Sequence, residues 1–562
     1  MMDIANVFKC VWTNISSTFV SPKKKPISGT KLRNFLINDP LLDWLNMYGE
    51  SKGYVKNPDD YTEYIMNRGN KFEDYVINYL REKVSVTEIT GNNEVEKTKI
   101  AMREGDHIIY QGHILSEELE LMGIPDLLIR GDILQDLFNI FPEKSIEIHS
   151  GNREYPYLYY VVDIKFASIY LGKNGVLNKG SMRAYKGQLY IYNKILQNLF
   201  YGYREIETKF EQPYAFLLGR RLVDVNILDG KENLALIDLN SEKLRIREAI
   251  NWIKELRKDG ANWNPLDPKR EEMCPNMKNQ MDSPWRNVKK YLADQIDEPT
   301  QYWGINRKVR EKGVELYMSE LKEKKRRTVE DIIEVNSDSE EEFVCRIPQT
   351  TKDNLRKSLS NDIMNFYVDF EFLNGNDISF DYNTRTHLYM IGMGYEENGK
   401  FVYKSFIPRK LTLQEEKLNI YSWLSCMRFI ARRLGKEFRI IHWTRAEPQL
   451  FMRLKEVFNF RGNLEWFDLH PVFRDNQIIC KGMHNFSLKS VVKSLKTRGM
   501  LDLCWQEEVG DGLGANMVII KNKEKGNEHV SSYEGIDDVL TYNKVDCEAL
   551  YELVKFVRFQ LY

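Results

Sequence analysis

The stretch Tyr159-Tyr-Val-Val-Asp-Ile-Lys-Phe166 is a β-branched and aromatic run that stops at Asp163-Ile-Lys165. Side chains two apart in a strand share a face, so this spacing sets a carboxylate beside an ammonium. Such a pair can hold a metal and a water together. Upstream, Gly123-Ile-Pro-Asp126 leads into Leu-Leu-Ile and reads as a turn into a second short strand with a carboxylate at its mouth. Downstream, Lys186–Tyr192 reads as a helix that carries Gln188 and Tyr192 on one face.

Hydrolysing a phosphodiester needs a cation that neutralises charge on the phosphoryl oxygens and lowers the pKa of the attacking water. Paired carboxylates are hard oxygen ligands for Mg²⁺ or Mn²⁺. Asp126 and Asp163 are the expected ligands, with Lys165 beside the water or the scissile phosphate. Asp-x-Lys alone ends many apolar runs by chance. The order Gly-x-x-Asp, Asp-x-Lys, Gln-x-x-x-Tyr, however, resembles the RecB-type branch of the PD-(D/E)XK nucleases. The resemblance implies a restriction-endonuclease-like fold and catalytic roles for Lys165, Gln188 and Tyr192. It adds Glu73 as a third metal ligand, because Gly69-Asn-Lys-Phe-Glu73 is similar to that family's first motif. The segment between the two aspartates, Arg130–Pro156, reads as an extended or inserted hairpin. The helix begun by Ile27-Ser-Gly-Thr resembles the one that opens many such domains. Where some members then place a cluster cysteine, this chain has Asn38-Asp39-Pro40, so no iron–sulfur cluster is expected.

A second acidic pattern follows in the C-terminal half. Asn365-Phe-Tyr-Val-Asp369-Phe-Glu371-Phe reads as a strand ending with two carboxylates on one face. His387–Tyr395 and Phe401–Phe406 read as strands joined at Glu397-Asn-Gly399, a strong hairpin signal. A helix over Leu413–Leu434 leads to a strand, Arg439-Ile-Ile-His-Trp443, then to Glu447 at a helix start and a short strand, Glu465–Leu469. The long helix Gly535–Phe559 sets Tyr542 and Asp546 one turn apart. This order resembles a DEDD exonuclease of the tyrosine branch on an RNase H-like fold, as found after a RecB-type domain in a family of two-nuclease proteins. The resemblance implies that Asp369, Glu371, Glu447 and Asp546 hold two divalent ions roughly 3.5–4 Å apart, with Tyr542 orienting the water. Thr541 stands where the sister branch has a histidine. His442 is expected to be structural, and Asp468 is either a supporting or a structural group. Converging carboxylates repel by roughly 1 kcal/mol per pair even with water-like screening, so such a cluster is expected to bind cations.

The chain has 562 residues, 42% of them hydrophobic and 12% aromatic, enough for two or more cores. A formal net charge of -1 argues against wholesale coating of nucleic acid and leaves only local patches to meet phosphate. Candidates are Arg220-Arg221 at a strand end and Lys324-Lys-Arg-Arg327, the latter also similar to a nuclear-import signal, as is Lys23-Lys-Lys25. Seven scattered cysteines with no Cys-x-x-Cys pair suit a reducing compartment, cytoplasm or nucleus. No signal peptide or membrane span is expected. Lys-, Asn-, Ile- and Tyr-rich usage suits an AT-rich genome such as that of a large DNA virus. The expected organisation is a tail (1–26), a RecB-like nuclease domain (27–260), a helical insert (261–327), an acidic flexible linker (328–347) and an RNase H-like domain (348–562). The insert resembles one in bacterial RecB-like proteins that grips a strand. The expected activity is metal-dependent hydrolysis of DNA, 3′–5′ in the C-terminal domain, in repair, recombination or replication. An RNA exonuclease and an inactive nucleic-acid-binding scaffold are the alternatives.

Overall fold

The apolar run at Tyr159 continues to Tyr170 as one twelve-residue strand. Tyr159, Val161, Val162 and Asp163 are all fully buried, as befits a strand covered on both faces. A computed structural model describes residues 25–138, 148–170, 182–202, 214–223, 234–239, 242–337, 342–374, 385–505 and 512–560. In the first unit the chain runs through α1 (Asp60–Arg81), β1 (Val86–Glu88), β2 (Ile108–Tyr110), β3 (Leu127–Arg130) and β4 (Tyr159–Tyr170). It continues through α2 (Arg183–Tyr201), β5 (Tyr214–Val223), β6 (Leu234–Asp238) and α3 (Lys243–Asp259). The six strands form one mixed sheet in sequence order. β4 and β5 are parallel, which requires a crossover, and α2 supplies it. β3 and β4 are antiparallel with Leu127 opposite Val162, a register that brings Asp126 level with Asp163.

The segment between those aspartates is no simple hairpin. It opens with a helix, Gly131–Leu137, and ends in a narrow turn bridged at His149 and Tyr157; 139–147 lie outside the described residues. Lys23 and Lys24 lie outside them too.

The first unit ends with α4 (Arg286–Gln295); in the second, α5 (Glu323–Asn336) precedes β7 (Met364–Leu373), β8 (His387–Glu397) and β9 (Lys400–Phe406). Then come α6 (Leu413–Leu434), β10 (Phe438–His442), α7 (Ala446–Phe458), β11 (Trp466–Asp468), α8 (Leu488–Thr497), α9 (Gly512–Glu524) and α10 (Ile536–Gln560). The sheet order is β9-β8-β7-β10-β11, with β7 central, β8 antiparallel to both β7 and β9, and β10 and β11 parallel to β7. The hairpin turns at Asn398-Gly399, both at positive φ as a two-residue turn of this kind demands. Thr412 caps α6 and Gly435 ends it in the left-handed region. The chain is thus mixed α/β. Among the described residues no helix is long and apolar enough to cross a membrane.

Two expectations about the middle of the chain are corrected. The stretch read as a flexible linker begins with α5, whose Val329, Ile332 and Val335 are fully buried against the second unit. The acids hid this face, because they occupy only the turns between those apolar residues. Beyond it, Phe343-Val344 pairs with Ile479-Cys480; 338–341 lie outside the described residues. The helical insert is likewise divided. Met273, Trp285, Val288 and Leu292 belong to the first core, and Tyr302, Ile305 and Val309 to the second. Buried Lys289 fastens the irregular crossing to the first unit, with Nζ 3.0 Å from Asp39 and 2.5 Å from Asp282.

The two units share α1. Its Phe72, Val76, Ile77 and Leu80 enter the first core, while Tyr64 packs with Leu373 of β7, Tyr389 of β8 and Ile520 of α9.

Candidate metal centres

In the first centre, alternation along β4 turns Asp163 and Lys165 to one side, where Lys165 Nζ lies 2.6 Å from Asp163 and 3.9 Å from Asp126. The backbone N–H of Ile164 donates to Asp126 Oδ2 at 2.6 Å. Burial, then the Asp163 charge, holds the Asp126 carboxyl well above its usual range. Burial would lower the Lys165 pKa, but Asp163 and Asp126 outweigh it and keep the ammonium charged. Asp163 Oδ1 is buried with no hydrogen-bond partner, an acceptor left for a ligand. On α2, Gln188 Nε2 donates to the Tyr192 hydroxyl at 2.8 Å, as their spacing predicts. A Cβ on Gly123 would lie 2.3 Å from the Tyr192 ring, so the glycine of Gly-x-x-Asp is what admits this phenol there.

Glu73, half-buried on α1, accepts from Gln111 Nε2 at 2.6 Å, and its charge reaches Asp126. Gln111 sits at φ 54 and its backbone N–H donates to the Asp126 carbonyl, so a strained residue joins the two acids. Nothing in the sequence singles Gln111 out. Among the described residues, Glu73, Asp126 and Asp163 do not close to the spacing of a three-acid metal site, and Lys165 stands between the two aspartates.

The second centre does close. Carboxylate oxygens of Asp369, Glu371 and Asp546 all lie within 4.8 Å of one another. β7 contributes the first two and α10, packed across β7 and β8, the third. Burial is the main cause of the upward shift in each, with Glu371 pushed to about 7 and Asp546 to about 6. Asp369, facing three acids, is raised well above the usual range. Tyr542 is kept protonated by burial and by Asp546, to which it donates. Glu447, at the start of α7, is buried, its carboxyl pushed to about 8, and its Oε2 has no hydrogen-bond partner. It feels the charges of Glu371 and Asp546 without joining their close cluster. His442 lies 3.7 Å from Glu447 Oε2, and burial depresses its pKa. Asp468 accepts from the backbone N–H groups of Thr444 and His470, and its charge reaches Glu447 and His442.

Four supporting residues escaped sequence reasoning. Asn543 donates to Asp369 Oδ2 at 2.8 Å and accepts from the Tyr403 hydroxyl. The Trp505 indole donates to Asp546 Oδ1 at 3.0 Å. Lys489 on α8 lies 4.5 Å from the Tyr542 ring centroid and tempers the charge of Asp546 and Glu371. Gly392 on β8 leaves room for Asn543, since a Cβ there would fall 1.7 Å from Asn543 Oδ1. Only Asn543 carried a signal, as the residue after Tyr542 on the same helix. Gly392→Ala is therefore expected to displace Asn543 and loosen Asp369. Overpacking of this kind costs roughly 1–3 kcal/mol. Calorimetric Mn²⁺ titration should show at least tenfold weaker binding at this centre, and unchanged affinity would contradict the packing argument.

The basic pairs fare differently. Arg220 is 5% exposed and stacks on Phe166, so it is neither a solvated edge nor a phosphate contact. The side chains of Arg221 and Lys324 lie outside the described residues. Lys325 donates to the Tyr317 hydroxyl, while Arg326 and Arg327 pair with Glu330 and Glu323 one turn away on α5. Their charge is largely met within the protein. Comparison of the chain with family models, with curated proteins and with solved structures found no match.

Proposed function

We propose that this chain is a metal-dependent nuclease with two centres, a PD-(D/E)XK-type centre at Asp126, Asp163 and Lys165 and a DEDD-type centre at Asp369, Glu371 and Asp546. The observation that carries the reading is the convergence of those last three carboxylates, supplied by residues far apart in sequence. A protein that gathers acids in a buried place raises their pKa values and loses stability unless something cationic meets them. The order of the second sheet, with the acid-bearing β7 central, supports an RNase H-like fold. The first sheet, with Asp126 and Asp163 on neighbouring strands and α2 crossing over, supports a restriction-endonuclease-like one.

The donor sets fit Mg²⁺ or Mn²⁺, being oxygen-only and including orphaned buried acceptors at Asp163 and Glu447. Asp369, Glu371 and Asp546, with Glu447 beside them, would hold the ions of the second centre; Asp126 and Asp163, with Glu73 behind, those of the first. Bound there, a divalent ion supplies charge neutralisation at the phosphoryl oxygens and a more acidic water. The chain's own groups do the rest. Lys165, held as an ammonium, stabilises negative charge on the phosphate and cannot serve as a base. Tyr542 keeps its proton and orients a water by hydrogen bonding. Lys489 gives the cluster a counter-charge beside the Tyr542 ring.

The direct test is a gel with end-labelled single- and double-stranded DNA and RNA oligonucleotides, with Mg²⁺, Mn²⁺ or EDTA. Shortening of a labelled strand that EDTA stops is expected, with DNA the better substrate. A chain that binds Mn²⁺ at neither centre and leaves every strand intact would be a scaffold, and the proposal would fall.

A further inference from the structure

A cleft of about 1210 Å³ lies between the two units. That exceeds the roughly 300–1,000 Å³ of a small-molecule pocket. Its position relative to the centres is the informative part. At one side it is lined by Tyr185, whose ring lies 5.7 Å from Lys165 Nζ and which precedes Gln188 on α2. At the other it is lined by Asp538, one helical turn before Tyr542 on α10. Its floor is the start of α1, and Glu73 follows Tyr61 on that helix by about 18 Å.

The lining is apolar where it is most open. Met66 is 66% exposed, Met281 54% and Leu513 41%, and Tyr61 and Tyr185 add aromatic faces. The charges along it largely cancel, since Lys521 pairs with Asp60 and Lys525 with Glu534. A double helix, which shows two phosphate ridges and hides its bases, would find little to hold here. Unpaired bases would find stacking surfaces, worth about 1–3 kcal/mol per base and indifferent to sequence.

We propose that this cleft seats an unpaired nucleic-acid strand, bases turned inward, and leads it from one centre to the other. The inference rests on the two-centre nuclease reading. One strand then lies across both sites, and its unstacked bases are gripped by protein while its phosphates reach the acids at either end.

The test is fluorescence anisotropy of labelled (dT)20, (rU)20 and a 20-base-pair duplex in EDTA, with the full chain. Single strands are expected to bind at least tenfold more tightly than duplex. Met281→Glu/Leu513→Glu, changed at exposed positions, should weaken the single strands at least tenfold, and Met66→Glu on the opposite floor should do the same independently. A preference between (dT)20 and (rU)20 names the strand the cleft takes. If wild-type protein degrades (dT)20 with Mn²⁺ while all these variants bind it as tightly as wild type, the channel is overturned and the nuclease reading stands. If the variants lose binding but wild type degrades nothing, the activity is overturned and the strand site stands. Equal binding of duplex and single strand would also overturn the channel.

Discussion

Asp369→Asn is expected to lower metal-dependent strand degradation at the second centre by roughly a thousandfold, a loss of about 4 kcal/mol of transition-state stabilisation. Asp163→Asn should do the same at the first centre. Each substitution keeps the shape of the side chain and removes one anionic ligand, so the loss reports cation binding rather than packing. The fold offers an internal control. Asp369 is buried among Asp546, Glu371 and Glu447, all of which oppose its charge. Without metal, Asp369→Asn should therefore leave the melting temperature unchanged or raise it. Asp163 differs, because it meets the Lys165 ammonium at 2.6 Å. Its amide variant leaves a half-buried cation with one carboxylate fewer and should melt lower. Single-turnover rates on a labelled strand, with the single variants and the double variant, separate the centres. Full rates in all three would end the two-centre reading, as would Mn²⁺ affinity that ignores both changes.

Much of this arrangement could be read from residue order because it rests on local rules. Asp163-Ile-Lys165 shares a face because strands alternate, and Gln188 meets Tyr192 because helices repeat near four residues. Asn398-Gly399 set the β8–β9 hairpin register through its backbone preference alone. α6 runs over the bounds expected for it, Leu413–Leu434, with Thr412 capping its start and Gly435 closing its end. What stayed hidden depends on tertiary approach. Gly392 matters only because Asn543, far along the chain, presses against it. Lys489 and Trp505 lie on segments with no acidic motif and reach the centre only when α8 and the loop after it fold back beside α10. The α5 face was missed for a different reason. Glu330, Asp331 and Glu334 crowd its second half, yet Val329, Ile332 and Val335 recur at helical spacing and outweigh them once a partner surface exists. Arg220 misled in the opposite direction, since a guanidinium stacked on an aromatic ring is amphipathic enough to be buried.

Metal-free protein is expected to lose stability as pH rises from about 4.5 to 8, and Mn²⁺ to reverse that trend. Glu371 moves from 4.5 to about 7 on folding, Glu447 from 4.5 to about 8 and Asp546 from 3.8 to about 6, burial leading in each case. With folded values above unfolded ones, the native state binds more protons across this window. Stability linked to these groups is complete below their unfolded pKa values and is lost as pH rises through the folded ones. A tenfold difference in proton affinity between the folded and unfolded states is worth about 1.4 kcal/mol, so the cluster alone moves stability by several kcal/mol. Asp43, raised to about 7 by burial, adds to the slope in the same direction without any part in the centres. Cations compete with those protons, so Mn²⁺ should stabilise strongly at pH 8 and hardly at pH 5; a hundredfold excess over the dissociation constant contributes about 2.7 kcal/mol. Melting curves at pH 5, 6.5 and 8, with EDTA or Mn²⁺, test both halves. Asp369→Asn/Glu371→Gln should reduce the metal-free slope and abolish most of the Mn²⁺ shift, leaving the parts of the slope due to Glu447, Asp546 and Asp43. A metal-free melting temperature that climbs from pH 5 to 8, or an Mn²⁺ shift as large at pH 5 as at pH 8, would mean that these carboxylates do not share a cation site.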